Sequence, residues 1–170
     1  MDVAHAARRR AVATMAGLVG IVVLVDQLTK TWAEHRYAGR PPEHLFWTLQ
    51  LTYTLNTGSA FSIGRGMTPV LIALSAGILV VLLAMGRSVV TTGKAIALGL
   101  VLGGALGNLA DRLVRSNGGG VIDFVDFRWW PVFNVADAAI CIGAALLAWI
   151  SFRSDGASRA DERRPSPVGR

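Results

Sequence analysis

At 170 residues, with 52% hydrophobic and 16% charged residues and a mean hydropathy of +0.47, the chain is too apolar for an ordinary soluble domain. Its apolar residues fall in blocks long enough to cross a bilayer, which points to a mainly α, polytopic membrane protein of single-domain length. One cysteine, Cys141, excludes an intrachain disulfide, and the net charge of +6 has a topological explanation that needs no nucleic acid.

Four apolar segments are expected to cross the membrane, at about 11–29, 68–86, 95–111 and 132–152. With both termini cytoplasmic, the inside segments 1–10, 86–94 and 153–170 hold ten Lys/Arg in 37 residues, against seven in 58 for the outside segments 30–67 and 112–131. That bias fits the positive-inside rule. Arg8, Arg9 and Arg10 before AVATMAGLVGIVVLV have the shape of a signal peptide, but no small-x-small cleavage site follows, so a retained first helix is expected. Asp26 falls near its outer end, with Lys30 four residues on in the favourable order for a helical ion pair. A solvated pair at the interface and a support for a site both fit that spacing.

From Leu45 to Asn56, apolar residues at odd positions alternate with Thr48, Gln50, Thr52, Thr54 and Asn56, which predicts a half-buried strand with its apolar side toward lipid. Asn56-Thr57-Gly58-Ser59 reads as a turn, and Ala60-Phe61-Ser62 as the start of a return strand. The second apolar segment carries no charge and reads as scaffold. The third places Gly99, Gly103 and Gly107 four residues apart, a flat ridge for close helix approach that leads into Asn108 and Asp111 on one face. Arg112 follows, then a loop holding Asp123 and Asp126, then Trp129 and Trp130 as an interfacial anchor. The fourth helix is expected to start near Pro131, with Asn134 and Asp137 in its first turns. Residues 1–152 form one membrane-embedded domain in this reading, and 153–170 a basic, disordered cytoplasmic tail.

This topology gathers Asp26, Asn108, Asp111, Asp123, Asn134 and Asp137 at one depth, the outer membrane interface. Carboxylates beside hydrocarbon cost about 2.5–3.5 kcal/mol each on insertion scales, so such residues usually line a cavity and carry function. His5, His35 and His44 lie away from the cluster, and no serine stands beside Lys30 or Lys94 in a nucleophile–base pattern. Two carboxylates and water remain: one acid protonated, the other a base, as in aspartyl hydrolysis without cofactor or metal. An oxygen-ligated divalent-metal site, an ion-coupled transporter and a lipid-binding structural protein are the competing readings.

Five motifs in order then carry a resemblance: DQLTK at 26–30, NTGSAFS at 56–62, GNLADR at 107–112, VIDFVDF at 121–127 and FNVAD at 133–137. Together, over about residues 10–152, the chain resembles the lipoprotein signal peptidases (signal peptidase II). The resemblance implies four transmembrane helices with a small extracytoplasmic sheet, the β-cradle, in a bacterial inner membrane. It implies an aspartyl endopeptidase that acts on diacylglyceryl-modified prolipoproteins among the membrane lipids, cutting before the lipidated cysteine, and a monomer is expected. Asp123 and Asp137 match the catalytic pair, and Asp26, Asn56, Gly58, Asn108, Asp111, Arg112, Asn134 and Ala136 match the supporting set. The Ser116–Gly120 stretch is a departure, longer than the family's connection there. Asp126 reads as a solvated loop charge.

Overall fold

The computed structural model describes residues 2–58, 68–86 and 91–162. In chain order they form α1 (Asp2–Tyr37), β1 (Glu43–Phe46), β2 (Leu49–Asn56), α2 (Thr68–Gly86), α3 (Thr92–Val114), β3 (Val121–Asp126) and α4 (Val135–Glu162). The chain is mostly helical, with one small antiparallel sheet in the order β1-β2-β3. Among the described residues, three helices are long and apolar enough to cross a membrane: Val3–Tyr37, Thr92–Val114 and Val135–Arg153. α2, expected as the second of four spans, is a 19-residue helix packed against α3.

α3 is the central helix, in contact with α1, α2 and α4, and its glycines explain how the others come so close. A Cβ placed on Gly103 would lie 2.7 Å from Cβ of Val22, and one on Gly99 would lie 3.1 Å from the carbonyl oxygen of Met15, both on α1. Gly104 faces the other way, directly against the backbone carbonyl of Ala136 on α4. Gly143 of α4 returns the contact, with room for no Cβ beside the carbonyl of Ala97. Backbone-to-backbone approach of this kind is how helices gain packing where no hydrophobic drive separates lipid from protein. Two helices thus lock onto opposite sides of α3, and their registers decide where the polar residues meet.

Several elements depart from the sequence expectation. α1 does not end near Asp26 but continues to Tyr37, with Ala33 and Tyr37 fully covered, so Asp26 stands about 16 Å along the helix axis from its end. The predicted strand from Leu45 is a hairpin: it breaks at Trp47, whose φ of +48° lets β1 fold back on β2, with the ring of His44 hydrogen-bonded to the Trp47 carbonyl oxygen at 2.7 Å. Leu51, Tyr53 and Phe124 of the sheet close over Ala33 and Tyr37 at the end of α1, where Trp32 meets Tyr37 and Phe124 edge-on. The proposed return strand at residues 60–62 lies outside the described residues. The third strand comes from Val121–Asp126, a segment expected as loop, and it pairs with β2. α4 stays helical beyond residue 152, through Glu162, over ground expected as irregular tail.

Candidate active site

Asp137 owes its place to the way α4 begins. The helix opens at Val135, its first backbone bond runs from Ala138 N–H to the Asn134 carbonyl, and Asn134 is therefore the N-cap. The Asn134 side-chain oxygen accepts from Asp137 N–H at 2.9 Å, and the Asp137 carboxylate accepts from Asn134 N–H at 3.2 Å. This is a reciprocal capping box. It fixes the Asp137 carboxylate at the positive end of the α4 dipole. The next orphan donor, Ala136 N–H, is taken by Asp26 of α1 at 2.9 Å, a contact spanning 110 residues.

Asp123 is placed by β3. It stands opposite Thr54 on β2, and Asn56, two residues along the same face, donates from Nδ2 to its Oδ2 at 3.0 Å. Asn134 donates from Nδ2 to its Oδ1 at 2.7 Å. One asparagine therefore touches both carboxylates, Asp123 through its amide and Asp137 through its backbone and cap.

Three asparagine amides surround the pair, and each is held in one orientation by its neighbours. The Asn56 oxygen accepts from Gly58 N–H at 3.0 Å, a turn that needs the positive φ of +79° at Gly58. The Asn134 oxygen is occupied by Asp137 N–H. The Asn108 oxygen accepts from Lys30 Nζ at 2.9 Å and from Asn134 Nδ2 at 3.2 Å, which leaves its own Nδ2 to donate to Asp137 Oδ1 at 2.8 Å. All three therefore present N–H groups to the carboxylates. Acceptor-only surroundings would have expelled the charges; these donors hold them in place.

Beneath the pair lies a buried ionic cluster. Lys30 Nζ stands 2.9 Å from both Asp26 Oδ2 and Asp111 Oδ2, and all three side chains have no exposure. Of the two readings open for Asp26 and Lys30, the solvated pair is excluded. Asp111 also accepts from Gln27 Nε2 at 2.8 Å, from Arg115 Nε at 3.2 Å and from Ile122 N–H at 3.0 Å. Through that last bond it holds the residue next to Asp123. Buried charges of this kind add specificity of geometry more than stability, since desolvation cancels much of the attraction.

Burial is the main cause pushing the Asp123 carboxyl up to about 6, and the charge of Asp137 adds to it; the Asn56 and Asn134 hydrogen bonds and Lys30 pull it back. Arg112 donates to the Asn108 carbonyl at 3.3 Å, and its charge faces Asp111, Asp137 and Asp123. Its Nε is buried and has no partner among the described residues. Arg112 and Asn108 form the polar end of a cavity of about 250 Å³ whose other walls are Ser75 of α2, Val101 and Ala105 of α3, and Ile140 of α4. Among the described residues no group of three or more His, Cys, Asp or Glu is arranged to hold a metal ion.

The structure thus brings together Asp26, Asn56, Gly58, Asn108, Asp111, Arg112, Asn134, Ala136 and both proposed catalytic acids. Asp126 is turned away from them: Gln50 Nε2 donates to one of its oxygens at 2.5 Å and Arg128 N–H to the other at 2.6 Å. It is half-buried on a strand end, not a solvated loop charge. Sequence reasoning weighed Lys30 but left it out of the site, and it missed Gln27, Glu34 and Arg115. For Gln27 the signal was its place in DQLTK at 26–30, and for Arg115 it was helical spacing, four residues after Asp111.

Comparison with known proteins gives the chain a family. The family model for signal peptidase (SPase) II matches residues 18–153. A lipoprotein signal peptidase of Rhodococcus jostii (strain RHA1) is 41% identical over 153 residues, covering 86% of this chain and 77% of that relative. One of Mycobacterium tuberculosis (strain ATCC 25618 / H37Rv) is 43% identical over 138 residues, covering 78% of this chain and 68% of that relative. A bacterial membrane enzyme solved by the in meso method at 1.9 Å superposes with a TM-score of 0.72 at 26% identity, over 82% of this chain and 92% of the other. Motifs, fold and relatives converge, and the chain belongs to the signal peptidase II family of membrane aspartic-type peptidases.

Proposed function

We propose that the protein is an aspartyl endopeptidase of the bacterial inner membrane that removes the signal peptide from diacylglyceryl-modified prolipoproteins, cutting before the lipidated cysteine. The observation that carries the reading is Asn134, whose amide holds Asp123 at 2.7 Å while its backbone holds Asp137 at 3.2 Å. The charge of Asp137 raises the carboxyl of Asp123, and a coupled pair holding one proton is the working state of an aspartic dyad. Burial pushes the Asp123 carboxyl up to about 6, which suits it to the acid role in this reading, with Asp137 in the role of the base.

The steps follow from that division. Asp137 takes a proton from water as the water oxygen bonds to the scissile carbonyl carbon, and Asp123 gives its proton to the carbonyl oxygen. The tetrahedral intermediate then loses the amine of the lipidated cysteine. Asp137 protonates that nitrogen as the C–N bond breaks, and Asp123 recovers its proton from the collapsing oxygen. The guanidinium of Arg112, with a buried donor unpaired, supports the developing negative charge. The cavity beside Asn108 and Arg112 supports the lipid requirement: its lining is mostly apolar, with Asn108 and Arg112 polar at one end, as an ester-linked acyl chain needs.

The same reading places four spans in the membrane, α2 among them, both termini in the cytoplasm, and the sheet with Trp129 and Trp130 at the outer headgroup level. The enzyme acts as a monomer in this reading.

The test is cleavage in detergent by purified protein of a diacylglyceryl-modified precursor, with the unmodified precursor as control. Cleavage of the lipidated form alone, unaffected by EDTA and by the absence of any proton gradient, supports the reading against a metal-dependent or transport function. Asp123→Asn and Asp137→Asn should each reduce cleavage by at least about a thousandfold. Normal signal-peptide release by either variant would rule out the assigned pair.

A further inference from the structure

Asp111 receives four hydrogen bonds at a carboxylate that has no contact with solvent. Gln27 and Lys30 bring two from α1, and Ile122 N–H brings one from β3. The fourth comes from Arg115, the C-cap residue of α3, whose own N–H donates to the Asp111 carbonyl at 3.3 Å. The Arg115 side chain then folds back over the last turn of α3 toward α1. Its Nε holds Asp111 at 3.2 Å, its Nη1 holds Glu34 Oε2 at 2.8 Å, and its Nη2 reaches Thr31 Oγ1 at 3.0 Å and Gln27 Oε1 at 3.3 Å. Gln27, Thr31 and Glu34 lie on one stripe of α1, so a single guanidinium ties α3 to nearly two turns of its neighbour.

Charge makes the same residue necessary. Asp26 and Asp111 are buried together and share the one cation of Lys30. Arg115, 17% exposed, supplies the balancing positive charge, with the more exposed Glu34 on its outer side. The other groups facing this cluster are Tyr53 of β2, Arg112 of α3, Asp123 of β3 and Asp137 of α4.

We propose that Arg115 is a positioning residue for the hydrolysis: by neutralising Asp111 and clamping it to α1, it fixes the bond from Asp111 to Ile122 N–H and so the place and charge state of Asp123. The inference rests on Asp123 and Asp137 being the reacting pair. A lysine could replace the charge but could not span from Asp111 to Glu34, because only the planar fork presents donors in both directions.

The experiment compares full-length wild type, Arg115→Lys, Arg115→Gln and the control Arg36→Gln, which removes the exposed pair with Glu43 and the stacking of Arg36 on the Tyr37 ring, both away from Asp111. Cleavage of the lipidated precursor is measured across pH, and hydrogen exchange is followed at the Ile122 amide. Arg115→Gln should lower kcat about tenfold or more with KM within about twofold, as expected for a displaced carboxyl. It should move the pH limb governed by Asp123 upward by about half a unit, because Asp111 is then uncompensated. Ile122 exchange should quicken about tenfold. Arg115→Lys should restore the pH limb but only part of kcat, a split that loss of folding stability alone would not produce.

Wild-type kcat, pH limb and Ile122 exchange in Arg115→Gln would overturn the proposal. If that variant does not fold, unchanged kcat and exchange in Arg115→Lys would overturn it equally. Should wild type fail to cleave while Ile122 exchange still responds to Arg115, the functional reading falls and the positional link stands.

Discussion

Replacing Asp123 by asparagine should make the folded protein more stable at neutral pH while abolishing its chemistry. Asp123 is 2% exposed, and its carboxyl is pushed from 3.8 up to about 6. The folded state thus holds this proton more tightly than the unfolded chain does, so ionisation opposes folding. The cost is absent below about pH 4, grows as pH rises through the folded value, and is complete above about pH 7. A rise of roughly two units corresponds to about 3 kcal/mol. Asparagine escapes that cost but gives up something, because Asn56 and Asn134 both offer N–H groups to the present oxygens and an amide can accept only at one of them. The lost hydrogen bond costs about 1 kcal/mol at every pH. Asp123→Asn should therefore be about 1 kcal/mol less stable than wild type near pH 4 and about 2 kcal/mol more stable near pH 8. Thermal unfolding in detergent, followed by tryptophan fluorescence, reads the difference; a chain of this size moves by about 2–4 °C per kcal/mol. The pH-dependent part carries the argument. A stability difference that is the same at both pH values, or that turns more unfavourable at pH 8, would refute a buried carboxyl raised by desolvation.

Two further expectations test the frame that carries the pair. Lys30→Met leaves Asp26 and Asp111 without their shared cation and should destabilise by about 3–5 kcal/mol; a wild-type melting temperature would show that the cluster is not charged as drawn. Gly104→Ala puts a methyl against the Ala136 carbonyl and 2.7 Å from Ile140 Cγ1, so α4 must move off α3, costing about 1–3 kcal/mol and opening the bond from Asn108 to Asp137. Gly77→Ala, which meets nothing within 4 Å, is the matched control. Equal melting temperatures and cleavage rates for the two alanine variants would remove close helix approach as the reason for Gly104.

The location of the site was legible because membrane physics makes acids conspicuous. Asp111 and Asp137 stand near the ends of apolar segments with Asp123 between them, and a topology read from Lys/Arg density is expected to bring those ends together. The glycine ridge was legible for the same reason: small residues at four-residue spacing have few uses besides close packing. What could not be read were features decided by tertiary contact. Asp123 and Asp126 interrupt the apolar pattern of residues 121–126, so the strand is visible only once β2 is beside it. Trp47 in a left-handed conformation has no local signal, since that conformation favours glycine or asparagine, and the hairpin imposes it. Past Lys30, Glu34, His35 and Arg36 look like an exposed connection. They extend α1 because Ala33 and Tyr37 are covered by a sheet that arrives later in the chain.

The bond between Asp26 and Ala136 has a consequence for how the protein is made. Asp26 leaves the ribosome 110 residues ahead of Ala136, so α1 is made long before its partners exist. Its two buried charges, Asp26 and Lys30, are four residues apart and neutralise one another within the same helix. Helix α1 thus carries a self-neutralised pair, and Lys30 takes Asp111 as a second partner once α3 has been made. Until α4 is inserted, Asp26 has no Ala136 N–H, Asn108 no Asp137, and Asp123 no Asn134. In the proposed mechanism the chain therefore has no complete reacting pair until its last helix is in place.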